Sequence, residues 1–352
     1  MKAIDADAHI DENEETFSYM TEAERQHKPV SMTLSEGHGF TGGNANQDRV
    51  WIINGNARLR RSRDDERSHT TKETRELIDV EARLRHMDEL GIDVQVLYPT
   101  TFLHAFTARA DVELAVYRSY NRWLADRCAL SHGRLRWACC VPTMSIPEAI
   151  QELRFARDHG ACGILKKGVE MDERSAAAPY FWPLYEEAER LDLPICFHQS
   201  TGNPNLSNAT DSARMAEFNV ISAFSHIAGS GVSQRFPKLR WGFVEAGASW
   251  IPYMLKYLGM RGKAEKAPFD WRTEFLEYNN YYVTCDTEDD IAGLLQYGGE
   301  DHLMIGTDYT HADQSAEIEA HRVVMERGEK GEIPLPAAQK IVDDNGRRFY
   351  GL

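Results

Sequence analysis

The sequence predicts an α/β fold, a (β/α)8 TIM barrel with a long insertion after its first strand. Three observations support this. Eight short β-rich runs follow one another along the chain, a helical pattern or room for one separates successive runs, and no GxGxxG follows the first run. Alternation of this kind gives parallel βαβ units, and eight of them close into a barrel. The doubly wound sheet, the main competitor, lacks its fingerprint here.

The runs are Lys2 to His9 (KAIDADAH), 93–100 (DVQVLYPT), 135–143 (LRWACCVPT), 161–168 (ACGILKKG), 193–200 (LPICFHQS), 239–247 (LRWGFVEAG), 280–286 (NYYVTCD) and 302–308 (HLMIGTD). Helical patterns fill the gaps. One spans about Glu73 to Leu90 and stops at Gly91, a helix-ending residue. Others cover Val112 to Leu130, Ser145 and Pro147 to His159, Tyr180 to Leu191, and a stretch ending near Gly231. From about 12 to 74 the rhythm breaks into a segment rich in Gly, Asn, Arg, Glu and Thr, including GHGFTGGNANQ (37–47). It reads as a structureless insertion that, following a strand, sits over the C-terminal mouth of the barrel as a lid or as a solvated loop. No independent second domain is visible.

With 352 residues, the chain could hold two domains of roughly 150 residues or one barrel of roughly 250 plus insertions. The net charge of −15 argues against a nucleic-acid partner. No apolar run approaches the roughly 20 residues of a membrane span, and Asp5 interrupts the place where a signal peptide would be apolar, so a cytoplasmic location is expected. Cys128, Cys139, Cys140, Cys162, Cys196 and Cys285 show no CxxC spacing and read as reduced, buried, small hydrophobes.

In such a barrel the active site lies at the strands' C-terminal ends. Asp7 and His9 share a face of the first strand, His198 ends the fifth, Glu245 the sixth and Asp308 the eighth. Singly, each could be a buried polar group. Together, nitrogen and oxygen donors at one mouth suit a divalent metal, Zn²⁺ or Mn²⁺ with Fe²⁺ also compatible, able to activate water or polarise a substrate oxygen.

IDADAHIDE, PICFH, GVSQRFPKLRWGFVEAGASWIPYML, YYVTCDTEDD, IGTDYTH and NGRRFYGL together resemble the amidohydrolase-2 family, the metal-dependent barrels that include aminocarboxymuconate semialdehyde decarboxylase and aromatic-acid decarboxylases. The resemblance covers the first twelve residues and nearly everything from Glu73 onward. It implies a metal held by Asp7, His9, His198 and Asp308, and a homo-oligomer, with which the aromatic segment WIPYMLKYLGM (250–260) is compatible. Where the decarboxylases commonly place a catalytic His, at the end of the sixth strand, this chain has Glu245.

Glu245 can then be a general acid or base, a metal ligand, or an orienter of a ligand histidine. His226, before the sixth strand, is a candidate for the displaced imidazole if it lies near the mouth. Asp308 is a second candidate base. Lys166 with Lys167, His311, Asp286 and Glu12 are weaker candidates for contacting substrate or metal, and Arg49, Arg58, Arg60 and Arg61 are the available cations in the insertion. The leading expectation is a metal-dependent lyase removing CO2 from an aromatic or unsaturated carboxylic acid. A hydrolase opening a cyclic amide, imide or lactone with metal-bound water is the alternative, and a non-catalytic, metal-stabilised partner subunit the third reading.

Overall fold

The computed structural model describes residues 3–33, 49–60, 65–170, 172–199, 216–262, 267–312 and 315–352. Eight parallel strands form one sheet in sequence order: β1 (Ile4–Ile10), β2 (Val94–Pro99), β3 (Leu135–Cys140), β4 (Ala161–Lys166), β5 (Ile195–His198), β6 (Trp241–Val244), β7 (Tyr281–Cys285) and β8 (Leu303–Ile305). The predicted barrel is therefore present. Its last seam closes just past β8, where the His9 N–H donates to the Tyr309 carbonyl at 2.9 Å and the Asp308 N–H to the Asp7 carbonyl at 3.0 Å. The ring closes at the very residues that the sequence singles out.

Helices cover the sheet much as the periodicity predicts, with Ala110–Ala129, Ile146–Asp158, Trp182–Leu191 and Glu217–Gly229 packed outside it. The helix expected from Glu73 to Leu90 is instead two, Lys72–Arg75 and Val80–Leu90. Leu77 takes a left-handed φ of 50° between them, and Asp79 restarts the second by accepting the Ala82 N–H.

The insertion is not structureless, which corrects the sequence reading. Val30–Thr33, Arg49–Ile53 and Asn56–Leu59 pair as a three-stranded antiparallel sheet. Buried Trp51 meets Phe17 edge to face at 5.1 Å, and Phe17 meets Phe102 at 6.2 Å. Asn54 donates to Thr107 Oγ1 and Arg58 to the Ala105 carbonyl, so this small sheet is fastened to the segment leaving β2, on the mouth side. Arg60 is ion-paired with Glu14 and stacks over Trp51, within the insertion. Residues 37–47 and Arg61 lie outside the described residues.

All six cysteines are buried and free, as expected, and burial pushes the Cys162 and Cys196 thiols up to about 12. Among the described residues no helix is long and apolar enough to cross a membrane.

Candidate metal centre

Five strand-end side chains meet in one buried cluster. His9 Nε2 lies 3.4 Å from Asp7 Oδ1 and 3.3 Å from Asp308 Oδ1, while His198 Nε2 lies 3.2 Å from Asp7 Oδ1 and its Nδ1 3.2 Å from Glu245 Oε2. His311 joins them, its ring stacked on His9 at 4.0 Å, with Nδ1 2.5 Å from Asp308 Oδ1 and 3.7 Å from Glu245 Oε1. These atoms form two overlapping donor sets, Asp7/His9/His198/Glu245 and His9/Glu245/Asp308/His311, each within 4.8 Å across. A cavity of about 10 Å³, room for about one water, opens beside them, lined by Asp7, Glu245, Asp286, Asp308 and Ser315 among others.

Backbone irregularities aim these side chains. On β1, Asp5 pairs with Gln95 but Ala8 with Leu97, so three steps on β1 oppose two on β2 and the strand bulges at Ala6 and Asp7. Asp5, behind the bulge, accepts from Gln95 Nε2, Thr307 Oγ1 and the Thr307 N–H, tying β1 to both neighbours. Glu245 and Asp308 leave their strands with left-handed φ values of 56° and 51°, costly for residues with a Cβ and concentrated where side chains must be redirected. The Glu245 N–H is held by Thr284 Oγ1 at 2.8 Å. Gly306 lets β8 pass this close, because a Cβ there would lie 2.4 Å from Asp7 Cβ.

The donor set fits a cation. His9 Nδ1 lies 3.0 Å from the Pro99 carbonyl, and a proton donated there leaves Nε2 as a bare lone pair. That buried nitrogen faces two carboxylates and, among the described residues, makes no hydrogen bond. Burial alone would lift the Asp7 carboxyl and depress the His198 imidazole, yet their mutual attraction wins. Asp7 ends well below the usual carboxylate range, and His198, with Glu245 adding to the pull, rises to about 9. Burial lowers His9. Three carboxylates thus demand positive charge at one point, which His198 meets by taking a proton and which a divalent ion would meet better.

Two sequence candidates fall elsewhere, and both are corrections. His226 is exposed in the last turn of Glu217–Gly229, where its nearest polar partner is Ser222. A residue shortly before a strand sits at the barrel's bottom, so His226 cannot reach the mouth. Lys166 is buried between β4 and the outer layer, with Nζ 2.5 Å from Glu170 Oε1 and 3.9 Å from the Phe181 ring centre. Asp286 borders the cavity. Ser315, 3.4 Å from both Glu245 and Asp308, and Tyr98, whose ring lies 4.9 Å from that of His198, were not anticipated. The inward position of Tyr98 on β2 was the available signal for one, and the loop position of Ser315 offered none.

Glu12 fastens the start of the insertion. Its carboxylate accepts from the N–H groups of Thr100 and Thr101 and from Thr101 Oγ1, but burial outweighs these bonds and pushes it up to about 7. The folded chain therefore holds an extra proton between the ordinary value of 4.5 and about 7. The resulting stability is full below that window and lost as pH rises through it, by up to about 3 kcal/mol. Urea unfolding at pH 5 and pH 8 should show a smaller pH-dependent loss in Glu12→Gln than in the parent; equal losses would refute this.

The chain resembles known proteins in sequence and fold. Over 259 residues the chain is 26% identical to a gamma-resorcylate decarboxylase from Polaromonas sp., covering 66% of this chain and 78% of that protein. An amidohydrolase crystal structure from Mycobacterium avium subsp. paratuberculosis superposes with a TM-score of 0.78 at 19% identity, covering 99% and 98% of the two chains. A 5-carboxyvanillate decarboxylase from Novosphingobium aromaticivorans, solved with manganese and a nitrobenzoic acid, superposes with a TM-score of 0.64 at 19% identity over 78% and 81%. The amidohydrolase family profile matches residues 4–352, virtually the whole barrel with its strand-end cluster, and the chain belongs to that family.

Proposed function

We propose that the chain is a metal-dependent carboxy-lyase acting on an aromatic or unsaturated carboxylic acid, as a single barrel domain with the 12–74 segment as its rim. The observation that carries this reading is the buried His9 Nε2, faced by the Asp7 and Asp308 carboxylates and without a hydrogen bond among the described residues. Asp7, His9, His198 and Asp308 would hold the ion. A bound Zn²⁺, Mn²⁺ or Fe²⁺ supplies a Lewis acid that orients the substrate's oxygens.

The remaining work falls to side chains. Pro99, accepting from His9, fixes the tautomer that leaves Nε2 available. Glu245, beside the cavity, would first take up a proton from solvent and then pass it from its carboxyl oxygen to the substrate carbon as CO2 leaves, returning to the carboxylate. His311 lies between Asp308 and Thr100, with Nε2 3.2 Å from Thr100 Oγ1, and orients the Asp308 carboxylate. The decarboxylases among the relatives support lyase over hydrolase chemistry.

Chelation followed by manganese or zinc restoration tests the reading. CO2 release from gamma-resorcylate or 5-carboxyvanillate should vanish on chelation and return with the metal. Release of no CO2 from either acid, with metal-dependent hydrolysis of a lactone or cyclic amide, would replace the lyase by the hydrolase.

A further inference from the structure

Strand alternation sends two adjacent lysines in opposite directions. Lys166 pairs in register with Phe197 on β5 and turns outward to Glu170 and Phe181. Lys167 comes next and takes the face of Leu165, which is paired with Cys196. Carrying the register on by one residue sets Lys167 level with His198, whose ring lies against Asp7 on the inner face, at the neighbouring-strand spacing of about 4.8 Å. The main chain of Lys167 thus stands beside that of His198 at the mouth, while its ammonium reaches the Tyr117 hydroxyl.

Lys167 is only 7% exposed, and its Nζ donates to the Tyr117 hydroxyl at 3.0 Å. That accounts for one of the three donors of an ammonium. The carboxyls of Glu113 and Glu170 feel its charge, but among the described residues neither forms an ion pair with it. Glu170 is occupied by Lys166 and by Thr143 Oγ1, and Glu113 accepts the Met144 N–H at 3.0 Å. The position is built rather than incidental. Gly168 follows, and a Cβ there would lie 2.1 Å from the Asn219 carbonyl, so the backbone after Lys167 is wedged against the helix Glu217–Gly229.

A buried ammonium with open donors is stabilised by an anion or by water. The metal centre beside it carries three carboxylates, Asp7, Glu245 and Asp308, so an acidic substrate meets repulsion there that a nearby cation would offset. We propose that Lys167 is the anion-recognition residue of this site, binding a carboxylate oxygen of the substrate and selecting acids over neutral isosteres. The proposal rests on the carboxy-lyase reading of the centre. Such a contact exists before CO2 leaves and is not strengthened as it leaves, so it belongs in KM rather than kcat.

Calorimetric titration of the metal-loaded protein with gamma-resorcylate and with its amide separates the possibilities. In Lys167→Met the acid should bind about 10- to 100-fold more weakly, the amide about equally, with metal content unchanged. Lys167→Arg should restore most of the acid affinity, and in turnover KM should rise while kcat changes by less than about threefold. Lys167→Gln, which keeps a donor towards Tyr117, repeats the test if the Met variant fails to fold. Unchanged acid affinity, parallel loss of acid and amide, or a loss that follows Arg58→Met instead overturns the proposal. Affinity and CO2 release are scored separately, so a parent chain that binds the acid through Lys167 but releases no CO2 refutes the lyase reading alone.

Discussion

Replacing His198 by alanine is expected to empty the centre of metal and abolish activity while the barrel stays folded. His198 is the last residue of β5, and its main chain remains registered with Val244 whatever its side chain. Its imidazole, however, joins the two sides of the cluster, with Nε2 on Asp7 and Nδ1 on Glu245, both at 3.2 Å. Loss of residues that merely orient a ligand weakens metal binding by about 10- to 100-fold, so loss of a ligand should exceed that. Elemental analysis after dialysis and a CO2 assay report the two effects. Full metal occupancy with normal turnover would remove His198 from the site.

Glu245→Gln separates the roles open to this residue. The amide keeps the volume and removes the ability to take up and pass on a proton, so turnover should fall by about 10²- to 10⁴-fold with metal retained. The backbone should hold, since the Glu245 N–H bond to Thr284 and the left-handed φ do not depend on the carboxylate. Metal lost together with activity would instead make Glu245 a ligand, for which its place in both donor sets provides the geometry.

The barrel was legible because most strands are short, largely apolar runs set between helical patterns and turn residues. What the sequence obscured was where the strands stop. The run 239–247 shrinks to Trp241–Val244 where Glu245 turns out of the sheet in a left-handed conformation that composition does not encode, and 302–308 shrinks to Leu303–Ile305, with Asp308 left-handed beyond it. The small sheet of the insertion was hidden by polar composition, although buried Trp51 and Ile53 share a packed face.

The site was legible in proportion to its dependence on strand ends. Asp7, His9, His198, Glu245 and Asp308 follow from position alone and do converge. His226 and His311 show the limit of that logic, since both are loop or helix histidines near a strand. His311 follows β8 and reaches the mouth, whereas His226 precedes β6 and stays exposed at the other end. Lys166 and Lys167 differ only in strand parity, which one residue of uncertainty in register would reverse.

The central claim, a divalent ion seated among these side chains, is tested most directly by anomalous diffraction at the manganese and zinc edges from metal-loaded crystals. The expected result is an anomalous peak at ligand distance, about 2.0–2.2 Å, from His9 Nε2 and His198 Nε2, with Asp7 and Asp308 oxygens completing the set. A map without a peak there, at full metal loading in solution, would contradict it.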